Sequence, residues 1–196
     1  MNRAAPAVML ALALAAALAS ALVTPPIAAK EKDKIPPPAG CHWQEIPVLK
    51  AHLAIPEGWL FRDTSAGLIL SYEVQPAGPG LENVKARYRL EVRRGIKKAD
   101  VVTRAREAIE AARTGAADSQ PVDQGAAGAL TIFSSTATFA AGAAGGGPVS
   151  TALTAAANER TGTLYVIRFD VPADEVDRVS PMGQKLLQTL RLDDDI

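Results

Sequence analysis

The residues best suited to chemistry in this 196-residue chain are its single cysteine, Cys41, and its two histidines, His42 and His52. A nucleophilic pair needs a base oriented beside the thiol. Neighbours on an extended chain point to opposite sides, so Cys41 and His42 do not predict such a pair. The three residues also lack the paired spacing and fourth ligand of a structural zinc site. We therefore expect no catalytic and no metal-binding residues, and interpret these side chains as exposed or partly buried.

Other catalytic and cofactor motifs do not emerge from the sequence. It contains no Gly-x-Ser-x-Gly elbow, and the glycines at 142–147 match neither a dinucleotide-binding loop nor a P-loop. The 21 basic residues balance the 21 acidic ones, so the charge does not imply a nucleic-acid partner. The sequence thus predicts a protein that is not an enzyme and carries no cofactor.

An export signal is predicted at the N-terminus. Arg3 is followed by no charged residue until Lys30, and an apolar run at residues 8–23 precedes a proline pair and small residues. This order is typical of a cleavable signal peptide at residues 1–29, with the cut between Ala29 and Lys30. An uncleaved anchor is the alternative, but the run is shorter than the ~20 residues that a bilayer core requires. We expect an exported protein, periplasmic or secreted.

Residues 30–40 are rich in lysine and proline and predict an extended tether. The tether ends in a sequence that resembles a lipoprotein box, which would make Cys41 a lipidated anchor. Pro38 stands where leucine is expected, however, and the charged residues 30–34 separate this box from the apolar run. Membrane contact is therefore expected only through an uncleaved signal or, as the weaker alternative, through lipidated Cys41.

Alternation of apolar and polar residues predicts a mainly antiparallel sheet. It is clearest at residues 84–92, where apolar positions alternate with charged ones and so give one dry and one wet face. Other segments predict further strands at 68–74, 129–140, 150–158 and 163–171, and a hairpin joining 51–55 to 59–61.

Two helices are predicted. The first begins after Asp100 as N-cap and ends before Gly115. The second begins with Ser180 as N-cap and Pro181 as first helical residue, and is buried through Met182, Leu186, Leu187 and Leu190. The strand pair at 129–158 is neutral on both faces, so we expect another element to cover at least part of its second face, and its small side chains would let a helix approach closely. The resulting fold class is α+β, a mainly antiparallel β-sheet flanked by helices, in one domain at residues 41–192 with an acidic tail at 193–196.

The wet side of the strand at 84–92 carries a basic stripe, namely Lys85, Arg87, Arg89 and Arg93. Such a stripe is suited to anionic lipid or to an acidic partner, although Glu91 interrupts it and a solvated strand face is the simpler interpretation. These four residues are the candidate interaction surface.

The order of elements resembles the PsbP-like α/β/α sandwich family over about residues 41–192. The resemblance rests on three features: residues 41–46 followed by 55–59, the strand at 84–92 followed by the helix after Asp100, and the C-terminal strand and helix. It implies the sandwich fold and a non-catalytic style of function. Neither the metal site of the photosystem members nor the Ran-binding role of the nuclear-import member has counterpart residues here.

The sequence therefore favours an exported, non-catalytic accessory or binding module of the cell envelope, with an unknown protein or small-molecule partner and no nucleic acid. A sheet face or a loop would be its docking surface. The alternative function is a small-ligand carrier with a pocket beneath the 129–158 hairpin.

Overall fold

The computed structural model describes residues 36–49, 51–79, 86–140, 147–179 and 181. Its elements in chain order are β1 (Cys41–Ile46), a 3-10 helix (Pro47–Leu49), β2 (Ala51–Pro56), β3 (Trp59–Asp63), β4 (Ile69–Pro76), β5 (Arg87–Arg93), α1 (Val101–Arg113), β6 (Asp118–Ser119), β7 (Asp123–Ala127), β8 (Leu130–Phe139), β9 (Val149–Asn158) and β10 (Thr163–Pro172). The predicted signal peptide, most of the tether, Lys85, and the C-terminal helix and tail from residue 182 onward lie outside the described residues.

Eight of these strands form one sheet in the order β3-β4-β5-β10-β9-β8-β6, with β7 also pairing with β8. Every pairing in this sheet is antiparallel. The predicted fold class, α+β with a mainly antiparallel sheet, is confirmed. Strands β1 and β2 form a separate antiparallel pair.

Strand β5 shows the alternation predicted for residues 84–92, and its apolar side chains lie at the centre of the buried face of the sheet, which we call the dry face. Tyr88, Leu90 and Val92 are fully buried. Each lies directly opposite a buried residue of β10, because Phe169, Ile167 and Tyr165 occupy the facing positions. Apolar side chains of β1, β2 and the 3-10 helix pack on this same face. The dry face is thus the main core of the domain.

Helix α1 covers part of the opposite face. Val101, Ala105 and Ile109 have no exposed surface, and they pack against β8, β9 and β10 through residues that include Phe133 and Leu153. The alanines of β9 let the helix axis approach closely. The expectation that another element covers the second face of the 129–158 strand pair is confirmed.

The C-terminal helix begins differently from its prediction. Residues 176–179 are already helical, and the backbone N–H of Val179 donates to the Glu175 carbonyl at 3.0 Å. Pro181 is therefore not the first helical residue, and that part of the prediction was wrong, while the predicted N-cap Ser180 lies outside the described residues. Val179 belongs to the core of the dry face, so this turn lies on the side of the sheet opposite to α1. None of the described helices has the length and apolarity needed to span a membrane.

The predicted hairpin between 51–55 and 59–61 is also wrong, although both strands exist. Strand β2 pairs with β1, while β3 pairs with β4 in the large sheet. Gly58, between them, has a φ of 78°, which redirects the chain from one sheet to the other. The turn residues 56–58 correctly predicted a bend in the chain, but they did not predict which strands β2 and β3 pair with.

Three strands, β1, β6 and β7, were not predicted. Strands β6 and β7 both pair with β8, at opposite ends of the same sheet edge. Residues 120–122 separate them, and Pro121 in this break has no backbone N–H to donate. Their residues, rich in Gly, Ala and Asp, lack the alternation that identifies a strand.

Candidate docking face beside helix α1

The wet face of the sheet is only partly covered by α1, and its open part carries a set of charged side chains. These side chains come from β3, β4, β5 and β10, and we refer to them as the arginine face: Arg62, Arg87, Arg89, Arg93 and Arg168, with the carboxylates Glu73, Glu91 and Asp170. Strand register brings them together. Arg62 lies opposite Glu73, Glu73 opposite Arg89, and Arg89 opposite Arg168.

Like charges directly opposite each other destabilise a sheet, so Arg89 beside Arg168 requires compensation. Glu73 provides it on one side, where its Oε1 accepts from Arg89 Nη2 at 2.7 Å and from Arg89 Nε at 3.1 Å. Asp170 provides it on the other, where its Oδ1 accepts from Arg168 Nε at 2.7 Å. The two arginines are therefore held apart by separate carboxylates.

Asp170 is the most buried charged group of the arginine face, with only 9% of its side chain exposed. It accepts hydrogen bonds from the Thr151 hydroxyl at 2.8 Å and from Arg87 Nη2 at 3.4 Å, in addition to the bond from Arg168. Thr151 and Arg87 belong to β9 and β5, the two strands that flank β10. One carboxylate thus ties three neighbouring strands together.

A groove runs along the arginine face. One part of it, a cleft of about 630 Å³ that we name the hairpin-tip cleft, is lined by residues that include Gln75, Arg87, Phe139, Val149, Arg168 and Asp170. Two smaller clefts of about 330 and 410 Å³ continue it along the helix. Arg168 is shared by the first two clefts, and Arg93 and Ala108 by the last two. The alanines of α1 leave room for this groove.

The surface also exposes apolar side chains. Leu60 of β3 lies opposite Gln75, and Ile69 of β4 lies opposite Arg93, so both are on the arginine-face side of the sheet. The exposed fraction is 41% for Leu60 and 40% for Ile69, counted over the whole residue. Charged and apolar surface are therefore adjacent on this face.

Three of the four predicted interaction residues, Arg87, Arg89 and Arg93, lie together on this face, and Lys85 is outside the described residues. The side chains of these three arginines are 32–46% exposed, and each of them is also ion-paired. Sequence analysis missed Glu73 and Asp170 as their partners. The alternation in β10 predicted on which face of the sheet Asp170 lies. It did not predict that β5, which carries Arg87, is the neighbouring strand.

Cys41, His42 and His52 all lie on the β1–β2 pair. His42 and His52 are exposed, and Cys41 is a half-buried free thiol. Cys41 faces Pro56, whereas His52 faces Glu45 four residues along β1, roughly 13 Å away at the rise of a strand. Within the described ranges, no three His, Cys, Asp or Glu side chains converge as a metal site would require. The structure does not bring these three residues together.

Comparison with known proteins relates the chain by fold. No protein-family model matches the sequence, and no curated protein matches it in sequence. The Ran-binding protein Mog1p of Saccharomyces cerevisiae superposes with a TM-score of 0.50 at 14% identity, over 78% of this chain and 95% of Mog1p. Cyanobacterial PsbP (CyanoP) of Synechocystis sp. PCC 6803 has a TM-score of 0.50 at 10% identity, over 86% of this chain and 100% of its own.

A crystal structure from Bacteroides thetaiotaomicron gives a TM-score of 0.49 at 12% identity, and the match spans only 45% of that longer chain. At such identities the likeness concerns the fold alone. The chain shares a PsbP-like α+β fold with cyanobacterial PsbP and Mog1p.

Proposed function

We propose that this chain is an exported, non-catalytic binding module of the cell envelope, related to the PsbP-like proteins, which docks an acidic partner protein on its arginine face. The observation that carries the proposal is the open half of the wet face. Five arginines there meet only three carboxylates, which leaves an excess of two positive charges next to exposed Leu60 and Ile69.

The composition of this face favours a protein partner. Arginine is enriched in protein interfaces because its long stem packs against apolar surface while its planar head makes several hydrogen bonds. The net positive charge attracts and orients an acidic surface during encounter. Mog1p is described as a Ran-binding protein, so the same fold serves protein recognition elsewhere. At 14% identity this supports the class of function and not the partner.

Export is the second part of the proposal. It rests on the uncharged leader that ends at Ala29, before the charged tether begins at Lys30. Exported proteins meet partners in the envelope or outside the cell, and the tether would give the domain reach toward them.

A paired variant test examines the docking face. The chain from Lys30 onward would be used to capture proteins from envelope extracts as wild type, as the double variant Arg62→Glu and Arg93→Glu, and as the control Arg178→Glu. Arg178 is exposed and lies on the opposite side of the sheet. We expect one acidic protein to be retained by wild type and control and lost by the folded double variant. Equal retention by all three, or none by wild type, would contradict the proposal.

A small-ligand carrier is the second candidate. The hairpin-tip cleft, at about 630 Å³, falls within the range of roughly 300–1,000 Å³ typical of ligand pockets, and Phe139 and Val149 at the end of the 129–158 strand pair form part of its wall. Native mass spectrometry of the purified chain would support this function by revealing a retained small molecule. Turnover that is abolished by replacing one polar residue, with the fold intact, would contradict both candidates.

A further inference from the structure

The hairpin-tip cleft contains two guanidinium groups that share one carboxylate. Asp170 accepts from Arg168 Nε at 2.7 Å and from Arg87 Nη2 at 3.4 Å, and the Thr151 hydroxyl fixes it from below at 2.8 Å. Because the Asp170 side chain is only 9% exposed, it sits at the base of the cleft and orients both arginines. The two guanidiniums are thus positioned before any ligand arrives, which lowers the entropic cost of binding.

Donors remain available on Arg168. Its Nε atom is committed to Asp170, while within the described part of the chain its two terminal nitrogens have no acceptor. The guanidinium carbon lies 5.4 Å from the centre of the Phe139 ring, so the ring supports the head group from one face. A third of the Arg168 side chain and 44% of that of Arg87 are exposed toward solvent.

The local charge balance indicates which ligand fits. Arg87, Arg89 and Arg168 carry three positive charges, and their partners Glu73 and Asp170 carry two negative ones. One positive charge remains, which matches a singly charged carboxylate better than a doubly charged phosphate. The guanidinium fork also matches the spacing of two carboxylate oxygens.

The walls of the cleft add an apolar component. Phe139, Val149 and Pro76 line it beside the arginines. A ligand that places a hydrophobic group next to its carboxylate would therefore bury apolar surface as well as satisfy the donors.

From these features we propose that the hairpin-tip cleft is a carboxylate-binding site, in which Arg168 and Arg87 hold an acidic side chain of the partner and Phe139 contacts the apolar residue beside it. This inference rests on the proposed function, because it assumes an acidic partner protein. It adds the site and the chemical group that is recognised.

The test is an NMR titration of the chain from Lys30 onward, following the side-chain Nε–Hε signals of its arginines. The probes are butyrate, which carries one carboxylate, inorganic phosphate, and a short blocked peptide of alternating glutamate and phenylalanine. We expect saturable shifts of the Arg87 and Arg168 signals, with the peptide binding more tightly than butyrate and butyrate more tightly than phosphate. Higher salt should weaken all three interactions.

Variants locate the site. Arg168→Gln should weaken peptide binding about tenfold, since it removes one charge-assisted contact worth roughly 1.4 kcal/mol. Arg168→Lys keeps the charge but not the fork and should also bind weakly, and circular dichroism would establish that each variant folds. Arg178→Gln is the control and should bind like wild type.

Three results would overturn the inference: no saturable shift, shifts that persist in folded Arg168→Gln and Arg87→Gln variants, or tighter binding of phosphate than of butyrate. The two proposals can fail separately. A partner captured equally by wild type and Arg168→Gln would leave the docking module intact and remove the carboxylate site. Peptide binding at Arg168 without any captured partner would support the carboxylate site and contradict the docking module.

Discussion

The hydroxyl of Tyr88 is an unusual feature of the dry face. Tyr88 has no exposed surface, and among the described residues its hydroxyl has no hydrogen-bond partner. Burial raises the pKa of Tyr88 well above its usual range, since an ionised phenolate in this core would lose its hydration. A buried polar atom without a partner costs stability.

Tyr88→Phe is therefore expected to stabilise the domain by roughly 1 kcal/mol at neutral pH. The wild type should also lose stability above about pH 10, where the unfolded tyrosine ionises and the folded one does not. In Tyr88→Phe this alkaline loss should be smaller. Urea denaturation of both proteins between neutral and alkaline pH measures this, and an unchanged alkaline limb in the variant would contradict it.

Asp170 is the residue on which the arrangement of the arginine face depends. Asp170→Asn keeps a hydrogen-bond acceptor for Thr151 but removes the charge that pairs with Arg168 and Arg87. We expect a loss of about 2 kcal/mol in the free energy of unfolding, because charge-assisted bonds of a nearly buried carboxylate are involved.

The matched control for Asp170→Asn is Glu107→Gln on α1. Glu107 pairs with Arg104 at 2.8 Å, but more than half of each side chain is exposed. Its loss should cost less than about 0.5 kcal/mol. Chemical denaturation measures both variants, and equal effects would show that burial of Asp170 contributes nothing.

At the residue scale, the sequence predicted the positive side of the arginine face and not its negative side. Arg87, Arg89 and Arg93 follow from local alternation in one strand. Their pairing with Glu73 and Asp170 depends on which strands flank β5 and in what register. That information is non-local and is not present in the period of any single strand.

At the element scale, Gly162 fixes the turn between β9 and β10. Its φ is 67°, and a Cβ atom added there would lie 2.1 Å from the carbonyl oxygen of Ile96. The Ile96 N–H donates to the Gly162 carbonyl at 3.0 Å, so this turn is joined to the connection between β5 and α1. Asn158 caps the turn by accepting from the backbone N–H of Arg160 at 3.0 Å.

Gly162→Ala should destabilise the domain by about 3 kcal/mol, because the new methyl group meets backbone atoms in addition to the strain of a positive φ. Gly128→Ala, in the β7–β8 turn, is the control, since its φ is 59° but a Cβ there meets no atom within 4 Å. That change should cost only about 1 kcal/mol. Thermal and urea unfolding compare the two, and similar losses would rule out the steric part of the argument.

The elements predicted best are the long ones with a clear period. Strands β5, β8, β9 and β10 and helix α1 were located within a few residues. Asp100 does precede α1, yet its side chain makes no capping hydrogen bond, so position alone did not determine its role. The pairing of β2 with β1 was not predicted, because tertiary contacts decide which sheet a strand joins.

At the scale of the whole molecule, the layers of the fold could be predicted because burial patterns show how many faces of each strand are covered. Neutral β8 and β9 indicated a covered second face, and charged β5 indicated an open one. The groove itself could not be predicted. It exists because α1 covers β8, β9 and part of β10 and stops short of β5, and that placement is a property of the assembled domain.

Because residues 1–29 are predicted to be a cleavable signal peptide, we expect the exported form of the chain to begin at Lys30. Full-length expression in a bacterium with a general secretion pathway should yield, by mass spectrometry, a product that lacks residues 1–29. Ala29→Arg places a large charged residue at the cut and should leave the leader attached. A wild-type product that retains the leader or begins elsewhere would contradict this assignment.

The break between β6 and β7 affects the tendency of the protein to aggregate at high concentration. A β-sheet margin with unsatisfied amides can template the addition of further chains, which leads to fibrillar deposits. Here the margin offers runs of two and five residues interrupted by Pro121, so an incoming strand cannot form a continuous ladder. The interruption thus hinders the addition of a strand from a second copy at this margin of the sheet.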